Sequence, residues 1–401
     1  MVDKTNSILK DISLCKRCCL RIINAEVRQF ELYNEILPLE IDVSGLVTED
    51  QCPNCFGLVS GLLTLTDKLL KRLDMLEFTS FLIGTRLTHQ YKEIDKILDD
   101  KGVPYYLIKQ EVIRVFSEII EDRFEAELRH DFPEVSIILE MKKQARYELE
   151  IRSVYILGKY RKYERGIPQT KWPCTYCKGR KCEKCNFTGQ QYPKSVEMLV
   201  AKPFLDASQS IGSSFHGAGR EDIDALMLGE GRPFVLELKQ PRIRTLNLAM
   251  LQDEVNKNPE VNIHLLQYCS KDTVEDIKKE SQYSHKTYRA LVETEKPMTS
   301  SDLEKLTSIS YPIQIKQRTP QRVSHRRADL VREKTIYGVE VAKSESNNLE
   351  LIIKAQGGAY IKEFISGDDG RSIPSISEVL GQTARCIELD VREVDDKGLF
   401  Q

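Results

Sequence analysis

Eight of the eleven cysteines in this chain of 401 residues occur as four Cys-x-x-Cys pairs. Two residues between thiolates let one tight turn direct both sulfurs at a single ion, and two such turns complete a tetrahedral site. The pairs form two sets, Cys15, Cys18, Cys52 and Cys55 in the first and Cys174, Cys177, Cys182 and Cys185 in the second. The spacing predicts one or two structural Zn²⁺ sites without catalytic chemistry, and the alternative is a set of reduced thiols or a redox pair.

The composition is that of a folded protein rather than a disordered one, with 41% apolar and 30% charged residues. No apolar run approaches the roughly 18 residues that span a bilayer, and the N-terminus does not open a signal peptide. We therefore expect a cytoplasmic protein with no membrane partner and no disulfide framework. The formal net charge is only −2, so any surface that binds nucleic acid must be local.

The pattern of apolar residues predicts an α+β protein with four segments. Residues 1–57 hold the first cysteine set, and residues 58–165 form an α+β region. Residues 166–190 form a basic linker with the second cysteine set. Residues 191–401 contain seven strand-like runs, one of them Glu197–Phe204, which predict a large, mainly antiparallel mixed sheet flanked by helices.

Two stretches of the chain are strongly basic. Residues 142–185 contain 13 Lys or Arg against 4 Asp or Glu, and residues 316–334 contain 7 against 2. Cations follow a phosphate backbone and aromatic faces stack on unpaired bases, so the first stretch predicts an RNA-binding surface. The aromatic residues interleaved with its charges are Tyr147, Tyr155, Tyr160, Tyr163, Trp172 and Tyr176. The alternative is an ordinary solvated strand pair.

A glycine-flanked acidic segment between His216 and Lys239 is the most unusual part of the sequence. One interpretation is a Mg²⁺-dependent, restriction-type nuclease that uses Asp224, Glu237 and Lys239. A second interpretation makes Asp222 a single essential carboxylate beside a cation. A third is a non-catalytic, zinc-containing RNA-binding protein in which the acidic loop has only a structural role.

The segment Gly219-Arg-Glu-Asp222 resembles the Gly-Arg-Thr-Asp motif of tRNA pseudouridine synthases. Together with Met227–Lys239 it is similar to one family, the archaeal and eukaryotic tRNA pseudouridine synthases that act on positions 54 and 55. Phe81-Leu-Ile-Gly84 falls where the THUMP-type RNA-binding region of that family begins. Further segments that match the family in order are 14–18, 52–55, 158–172, 286–290, 317–327, 360–364 and 367–371.

The resemblance implies an isomerase that needs no organic or catalytic metal cofactor and acts on tRNA. We expect a monomer, because a large RNA substrate can span the N-terminal and C-terminal blocks of one chain. It implies that Asp222 is the essential carboxylate and that Arg220 and Lys362 are the nearby catalytic cations. It also implies that Tyr288 stacks on the base and relays the C5 proton. The expected substrate-binding residues are Tyr288, Tyr360, Arg322, Arg326 and Arg327.

Overall fold

The structure is a computed structural model that describes residues 2–27, 35–87, 93–141, 144–395 and 398–400. It has the α+β architecture predicted from the sequence, with helices and two β-sheets. Among the helices in these ranges, none combines the length and the apolar content that crossing a membrane requires.

The chain folds into two compact units rather than four segments. Unit 1 comprises Met1–Arg152 and the short segment Gln240–Arg244, and unit 2 comprises the two stretches Ser153–Lys239 and Thr245–Gln401. The predicted segments 1–57 and 58–165 therefore do not separate, because the buried residues from Ile8 to Leu139 form one hydrophobic core. The stretch after Ser153 belongs to unit 2, because its strand pairs within the larger sheet.

Unit 1 combines six helices with a four-stranded sheet in the described residues. The sheet order is β2-β1-β3-β4, with β1 parallel to both β2 and β3 and with β4 antiparallel to β3. The elements are α1 (Val2–Asp11), α2 (Lys16–Val27), α3 (Leu58–Leu63), α4 (Thr66–Leu73), β1 (Ser80–Leu87), α5 (Lys96–Asp100), α6 (Ile108–Phe124), β2 (Glu127–Leu128), β3 (Val135–Met141) and β4 (Ala145–Ile151).

The periodicity of apolar residues explains how unit 1 packs. Along α6, Ile108, Val112, Phe116 and Ile120 are buried at intervals of four residues, so they form one face of the helix. The strands of the parallel pair β1 and β3 bury alternate apolar side chains in the same core.

Unit 2 is built around a ten-stranded sheet in the order β13-β10-β11-β12-β9-β14-β7-β5-β8, with β6 paired to β7. Every pairing is antiparallel except that of β14 with β7, so the sheet is mixed and mainly antiparallel, as predicted. Its strands are β5 (Val154–Lys162), β6 (Gly212–Gly217), β7 (Leu226–Lys239), β8 (Val261–Cys269), β9 (His285–Thr294), β10 (Ile313–Arg318), β11 (Val331–Glu345), β12 (Asn348–Gln356), β13 (Ser372–Ile373) and β14 (Ala384–Val394).

Helices accompany this sheet along the chain: α7 (Val196–Ser208), α8 (Leu248–Asn256), α9 (Thr273–Tyr283), α10 (Ser300–Thr307), α11 (Ile361–Ser366) and α12 (Ile376–Leu380). Strand β14 lies between β9 and β7 and thereby joins the strands on its two sides into one sheet. The loop after β6, strand β9, the turn after β10 and helix α11 together supply the residues of the site described below.

The strand predicted at Glu197–Phe204 is wrong, because this segment lies within α7. A short apolar run has no period that separates a strand from a buried helix. The decisive local signal is Ser195, whose hydroxyl accepts a hydrogen bond of 3.2 Å from the backbone of Met198 and so caps the helix.

Candidate active site

Asp222 lies in the loop between β6 and β7, and a buried ion pair beside it fixes this loop. Glu221 is buried and lies 3.0 Å from the guanidinium of Arg232 on β7. The hydroxyl of Tyr160 on β5 donates to the same carboxylate at 2.8 Å. Removing any of these three groups would leave a buried polar partner unsatisfied, so the loop is firmly held. Asp222 follows directly and remains partly exposed.

Backbone contacts add to this support. Gly219 has a φ of 80°, a conformation that favours glycine, and a Cβ at this position would lie 2.8 Å from Nζ of Lys286. The side-chain amide of Gln169 donates to the carbonyl of Gly219 at 3.0 Å. The buried ammonium of Lys162 donates to the carbonyl of Asp222 at 3.3 Å. The loop therefore presents Asp222 in a defined position.

Two cations face the carboxylate of Asp222. Nη1 of Arg322 donates to its Oδ1 at 3.1 Å, and Nζ of Lys362 lies 3.7 Å from its Oδ2. The sequence predicted Lys362 in this role. It predicted Arg322 as a substrate-binding residue, and the structure places Arg322 against Asp222.

A buried carboxylate holds Arg322 in turn. Nε of Arg322 donates at 2.6 Å to Glu363, which is buried at the start of α11. Burial lowers the pKa of Arg322, but the hydrogen bond and charge of Glu363 and the charge of Asp222 outweigh it and raise the pKa well above its usual value. Arg322 is therefore a permanent cation whose orientation is set from both sides.

Lys362 bridges two carboxylates of the loop. Its Nζ donates at 2.7 Å to Asp224, which is closer than its contact with Asp222. Burial raises the pKa of Asp224, but the hydrogen bond and the charge of Lys362 prevail and hold that pKa below its usual value. Asp224 therefore helps to position Lys362 beside Asp222.

Tyr288 lies on β9 with its side chain buried at the wall of the same cavity. Residues 286, 288, 290, 292 and 294 of this strand are buried in alternation, which directs them to one face. Burial raises the pKa of Tyr288 to about 12, and the charge of Asp222 acts in the same direction. The phenol therefore keeps its proton near neutral pH.

Three more of the predicted residues, Tyr360, Arg327 and Arg220, line the cavity. The hydroxyl of Tyr360 accepts a hydrogen bond of 2.8 Å from Arg327, whose guanidinium lies 5.9 Å from the centre of the tyrosine ring. The side chain of Arg326 lies outside the part of the chain that the structure describes. Arg220 is exposed, borders the cavity, and has its guanidinium 5.7 Å from the ring centre of Trp172.

These residues surround a cavity of about 590 Å³ in unit 2. Its walls carry many more cations than anions, because the acidic residues are only Glu221 and Asp222. The basic residues are Arg220, Arg232, Lys286, Arg322, Arg327, Arg332, Lys334 and Lys362. Such a cavity suits a polyanion that must approach a single partly exposed carboxylate.

Three residues of this site were not recognised in the sequence. Arg232 and Glu363 form buried ion pairs with residues distant in sequence, so no local pattern marks them. Lys286 carried a usable signal, because it occupies an inward position of a strand whose other inward positions are mostly apolar.

The first predicted metal-ligand set is assembled in unit 1. The four sulfur atoms of Cys15, Cys18, Cys52 and Cys55 lie within 4.8 Å of one another, and two of the Sγ–Sγ distances are 3.6 and 3.7 Å. Four thiolates at 2.3 Å from Zn²⁺ would be about 3.8 Å apart, so the group fits this ion. Buried Arg21 and Asn54 donate to the sulfur of Cys18, as ligand-supporting residues do.

The second set is assembled in unit 2. The sulfur atoms of Cys174, Cys177, Cys182 and Cys185 also lie within 4.8 Å of one another, with Sγ–Sγ distances of 3.7 and 3.9 Å. Backbone amides of Cys182 and Gly189 donate to the sulfur of Cys185. We name residues 174–190 the knuckle. Both cysteine groups could therefore hold zinc.

The basic stretch divides into buried and exposed parts. Tyr160 is fully buried in the sheet of unit 2, whereas Tyr163 and Tyr176 are 45% and 69% exposed. The knuckle also exposes 63% of Phe187, and the ammonium of Lys184 lies 3.8 Å from the ring centre of Tyr176. Lys142 and Lys143 lie outside the described residues. Fewer of these aromatic residues are therefore exposed than the sequence predicted.

The residues of the nuclease interpretation are not assembled as a metal site. Glu237 accepts a hydrogen bond from Ser153 and contacts His216 at 3.2 Å, whereas Asp224 pairs with Lys362. Within the described ranges, the two four-cysteine groups are the only clusters of three or more His, Cys, Asp or Glu suited to a metal.

Comparison with known proteins identifies the family of this chain. The family model described as Pus10, C-terminal, matches residues 155–395. The tRNA pseudouridine synthase Pus10 of Methanothermobacter marburgensis is 45% identical over 324 residues, 80% of each chain. The protein of the same name from Methanosphaera stadtmanae is 40% identical over 410 residues, 96% of each chain. Among solved structures, a Cbf5-Nop10-Gar1 complex aligns with 50% of this chain and 45% of that chain at 15% identity, with a TM-score of only 0.31. With a family match over more than half of its length and relatives this similar, the chain belongs to the Pus10 family of tRNA pseudouridine synthases.

Proposed function

We propose that this protein converts uridine to pseudouridine in the TΨC arm of tRNA, at position 54, position 55 or both, with Asp222 as the essential carboxylate. The main observation behind this proposal is that Asp222 lies on a loop fixed by a buried ion pair and hydrogen bonds, in a cavity lined by many cations. Membership of the family supports the reaction. The excess of positive charge supports an RNA substrate, because phosphates are bound through Lys and Arg.

The reaction breaks the N1–C1′ bond, turns the base and joins C5 to C1′. It is redox-neutral, so we expect no organic cofactor and no catalytic metal. Asp222 acts on the ribose or on the base, and Arg322 and Lys362 orient its carboxylate for that step. Tyr288 provides an apolar ring against which the base can stack, and Tyr360 supplies a second ring at the opening.

The target uridine must leave its stack to reach Asp222, which costs a few kcal/mol. Phosphate contacts at the rim of the cavity would offset this cost. Arg220, Arg326 and Arg327 are proposed to make them, because the sequence places all three beside the cavity-lining motifs.

Unit 1 is proposed to contain the THUMP-type RNA-binding region, which would begin at Phe81–Gly84 on β1. Both four-cysteine groups are proposed to hold structural Zn²⁺, which would cross-link the surrounding turns. We expect the protein to act as a monomer in the cytoplasm, a reducing compartment that keeps such cysteines available for metal.

The knuckle is proposed as a contact surface for tRNA. It presents the exposed rings of Tyr176 and Phe187 beside Lys178, Arg180 and Lys184. Aromatic rings with adjacent cations bind unpaired bases and the phosphates beside them.

An unmodified tRNA transcript provides the test. The protein is incubated with it briefly in EDTA, and pseudouridine is mapped by carbodiimide-blocked primer extension. We expect stops that report position 54, 55 or both. Asp222→Asn, which keeps the size of the side chain, should abolish them, whereas Asp206→Asn on α7, an exposed carboxylate paired with Lys202 of the same helix, should not.

Circular dichroism on the same samples checks that the brief EDTA treatment leaves the fold intact. A folded protein that binds the transcript but produces no stops, with or without Mg²⁺, would refute the proposal. Strand cleavage that appears only with Mg²⁺ would instead favour the nuclease interpretation.

A further inference from the structure

Lys286 is a buried lysine whose amine opens into the cavity of the proposed active site. It lies on β9, two residues before Tyr288, and the alternation of buried residues directs both side chains to the same face. Only 5% of Lys286 is exposed. Its Nζ lies beside Gly219, three residues before Asp222 in the same loop, where a Cβ would approach it to 2.8 Å.

Within the residues that the structure describes, this amine has no hydrogen-bond or ion-pair partner. Glu221, the carboxylate whose charge acts on this amine, is already shared by Arg232 and Tyr160. A charged amine buried without a partner is costly, so a lysine at this position is better explained by chemistry than by packing. The groups that face it are Arg232 on β7, Glu221 and Asp222 in the loop, Lys334 on β11, Tyr288 on β9 and the hydroxyl of Ser281 on α9.

We infer that the amine of Lys286 is the base that removes the C5 proton of the target uridine, an inference that rests on the proposed function. When C5 bonds to C1′, it carries both the new bond and its hydrogen, and the ring has a double bond between N1 and C6. Lys286 takes the C5 proton, and the electron pair of that C–H bond forms the C5–C6 double bond. The N1–C6 pair moves to N1, which takes a proton from the lysine ammonium or from water, so the overall reaction remains an isomerisation.

The surroundings of Lys286 suit this role better than those of Tyr288. Burial, together with the charge of Arg232, lowers the pKa of Lys286 to about 7. A base whose pKa is near the working pH combines a large neutral fraction with a useful proton affinity. Tyr288 has a pKa of about 12 and keeps its proton. The carboxylate of Asp222 is already paired with two cations, Arg322 and Lys362.

The test separates loss of the C5 proton from the earlier steps. One tRNA transcript carries tritium at C5 of its uridines, and its matched partner carries 5-fluorouridine, which has no C5 proton to lose. Both are followed in single turnovers with the full-length, zinc-loaded protein. Lys286→Met is compared with the wild type and with Lys354→Met, an exposed lysine on the adjacent strand β12.

Lys286→Met should slow tritium release by about 100-fold or more, the usual effect of losing a general base. Its conversion of 5-fluorouridine to the C5-linked product should stay within about threefold of the wild-type rate. Wild-type tritium release should rise with pH through a pKa near 7, because the base must be neutral, and this rise should be missing in the variant. Lys354→Met should behave as the wild type does.

Two results with an active wild-type protein would overturn the inference. The first is tritium release by Lys286→Met at the wild-type rate with the same pH dependence. The second is an equal slowing of both transcripts, which would make Lys286 a support for the loop. Thermal unfolding and tRNA affinity of the variant exclude misfolding as a cause. A wild-type protein that converts neither transcript would instead refute the proposed function, and this inference with it.

Discussion

Burial of Lys286 should make the stability of unit 2 depend on pH in a specific way. The lysine pKa falls from its ordinary value of 10.5 to about 7, mainly because burial disfavours the charged amine. The unfolded chain therefore binds more protons than the folded one between these two pH values. Because the pKa of Lys286 is lower in the folded protein, the buried lysine lowers the free energy of unfolding. This loss of stability is fully present below pH 7 and disappears as the pH rises through 10.5.

The size of the penalty follows from the same shift. Each pKa unit corresponds to about 1.4 kcal/mol, so the lysine lowers the free energy of unfolding by roughly 4 kcal/mol at pH 7 and about 2 kcal/mol at pH 9. Lys286→Met removes the titrating group while keeping an unbranched side chain of similar length. We expect this variant to be more stable than the wild type, by an amount that shrinks as the pH rises.

Urea unfolding measures this difference, with the fluorescence of Trp172 as the signal, because the single tryptophan lies in unit 2. Wild type, Lys286→Met and Lys354→Met are compared at pH 7 and pH 9. Changes in packing contribute equally at both values, so only the change between them reports the titration. A stability difference for Lys286→Met that is the same at pH 7 and pH 9 would refute the depressed pKa and the reasoning built on it.

Three other variants test the remaining parts of the molecule. Arg322→Gln should lower kcat/KM for tRNA by roughly 100-fold, because Asp222, the proposed essential carboxylate, loses its closest cation, whereas Arg318→Gln, an exposed arginine just before the same turn, should change it little. Tyr176→Ala should weaken tRNA binding by about 1–3 kcal/mol in a filter-binding assay, and Tyr176→Phe, which keeps the ring, should bind normally. Cys18→Ser should remove one equivalent of zinc by mass spectrometry and make unit 1 sensitive to proteolysis; unchanged zinc content would contradict the four-cysteine assignment.

Local patterns in the sequence were sufficient for the metal-ligand sets and for much of the sheet. Cys-x-x-Cys spacing places two sulfurs in one turn regardless of the rest of the fold, so both groups of four were predictable. The strand β9 was recognisable because its inward positions alternate with outward ones. The strand predicted at Glu197–Phe204 was wrong because a short apolar run fits either a strand or a helix. The residue that marks a helix here is Ser195, whose side chain caps α7.

The contacts around Asp222 depend on tertiary structure and could be predicted only in part from the sequence. Arg322 is 100 residues from Asp222 in sequence, and Glu363, which orients it, is 41 residues further along. No local pattern specifies which of several arginines in a basic segment meets the carboxylate. The sequence therefore predicted Arg322 as a substrate-binding residue, whereas the structure places it against Asp222 and Glu363.

The position of β14 has a consequence for the order in which the protein matures during synthesis. The loop of Asp222 precedes β7, while Tyr288 lies on β9, Arg322 lies in the turn after β10 and Lys362 lies on α11. Among the described strands, only β14 pairs with both β7 and β9. This strand, Ala384–Val394, leaves the ribosome after all of those residues. A nascent or truncated chain that ends before Ala384 would carry Asp222, Tyr288, Arg322 and Lys362 and still lack the strand that joins β7 to β9, so activity should arise only after β14 has been synthesised.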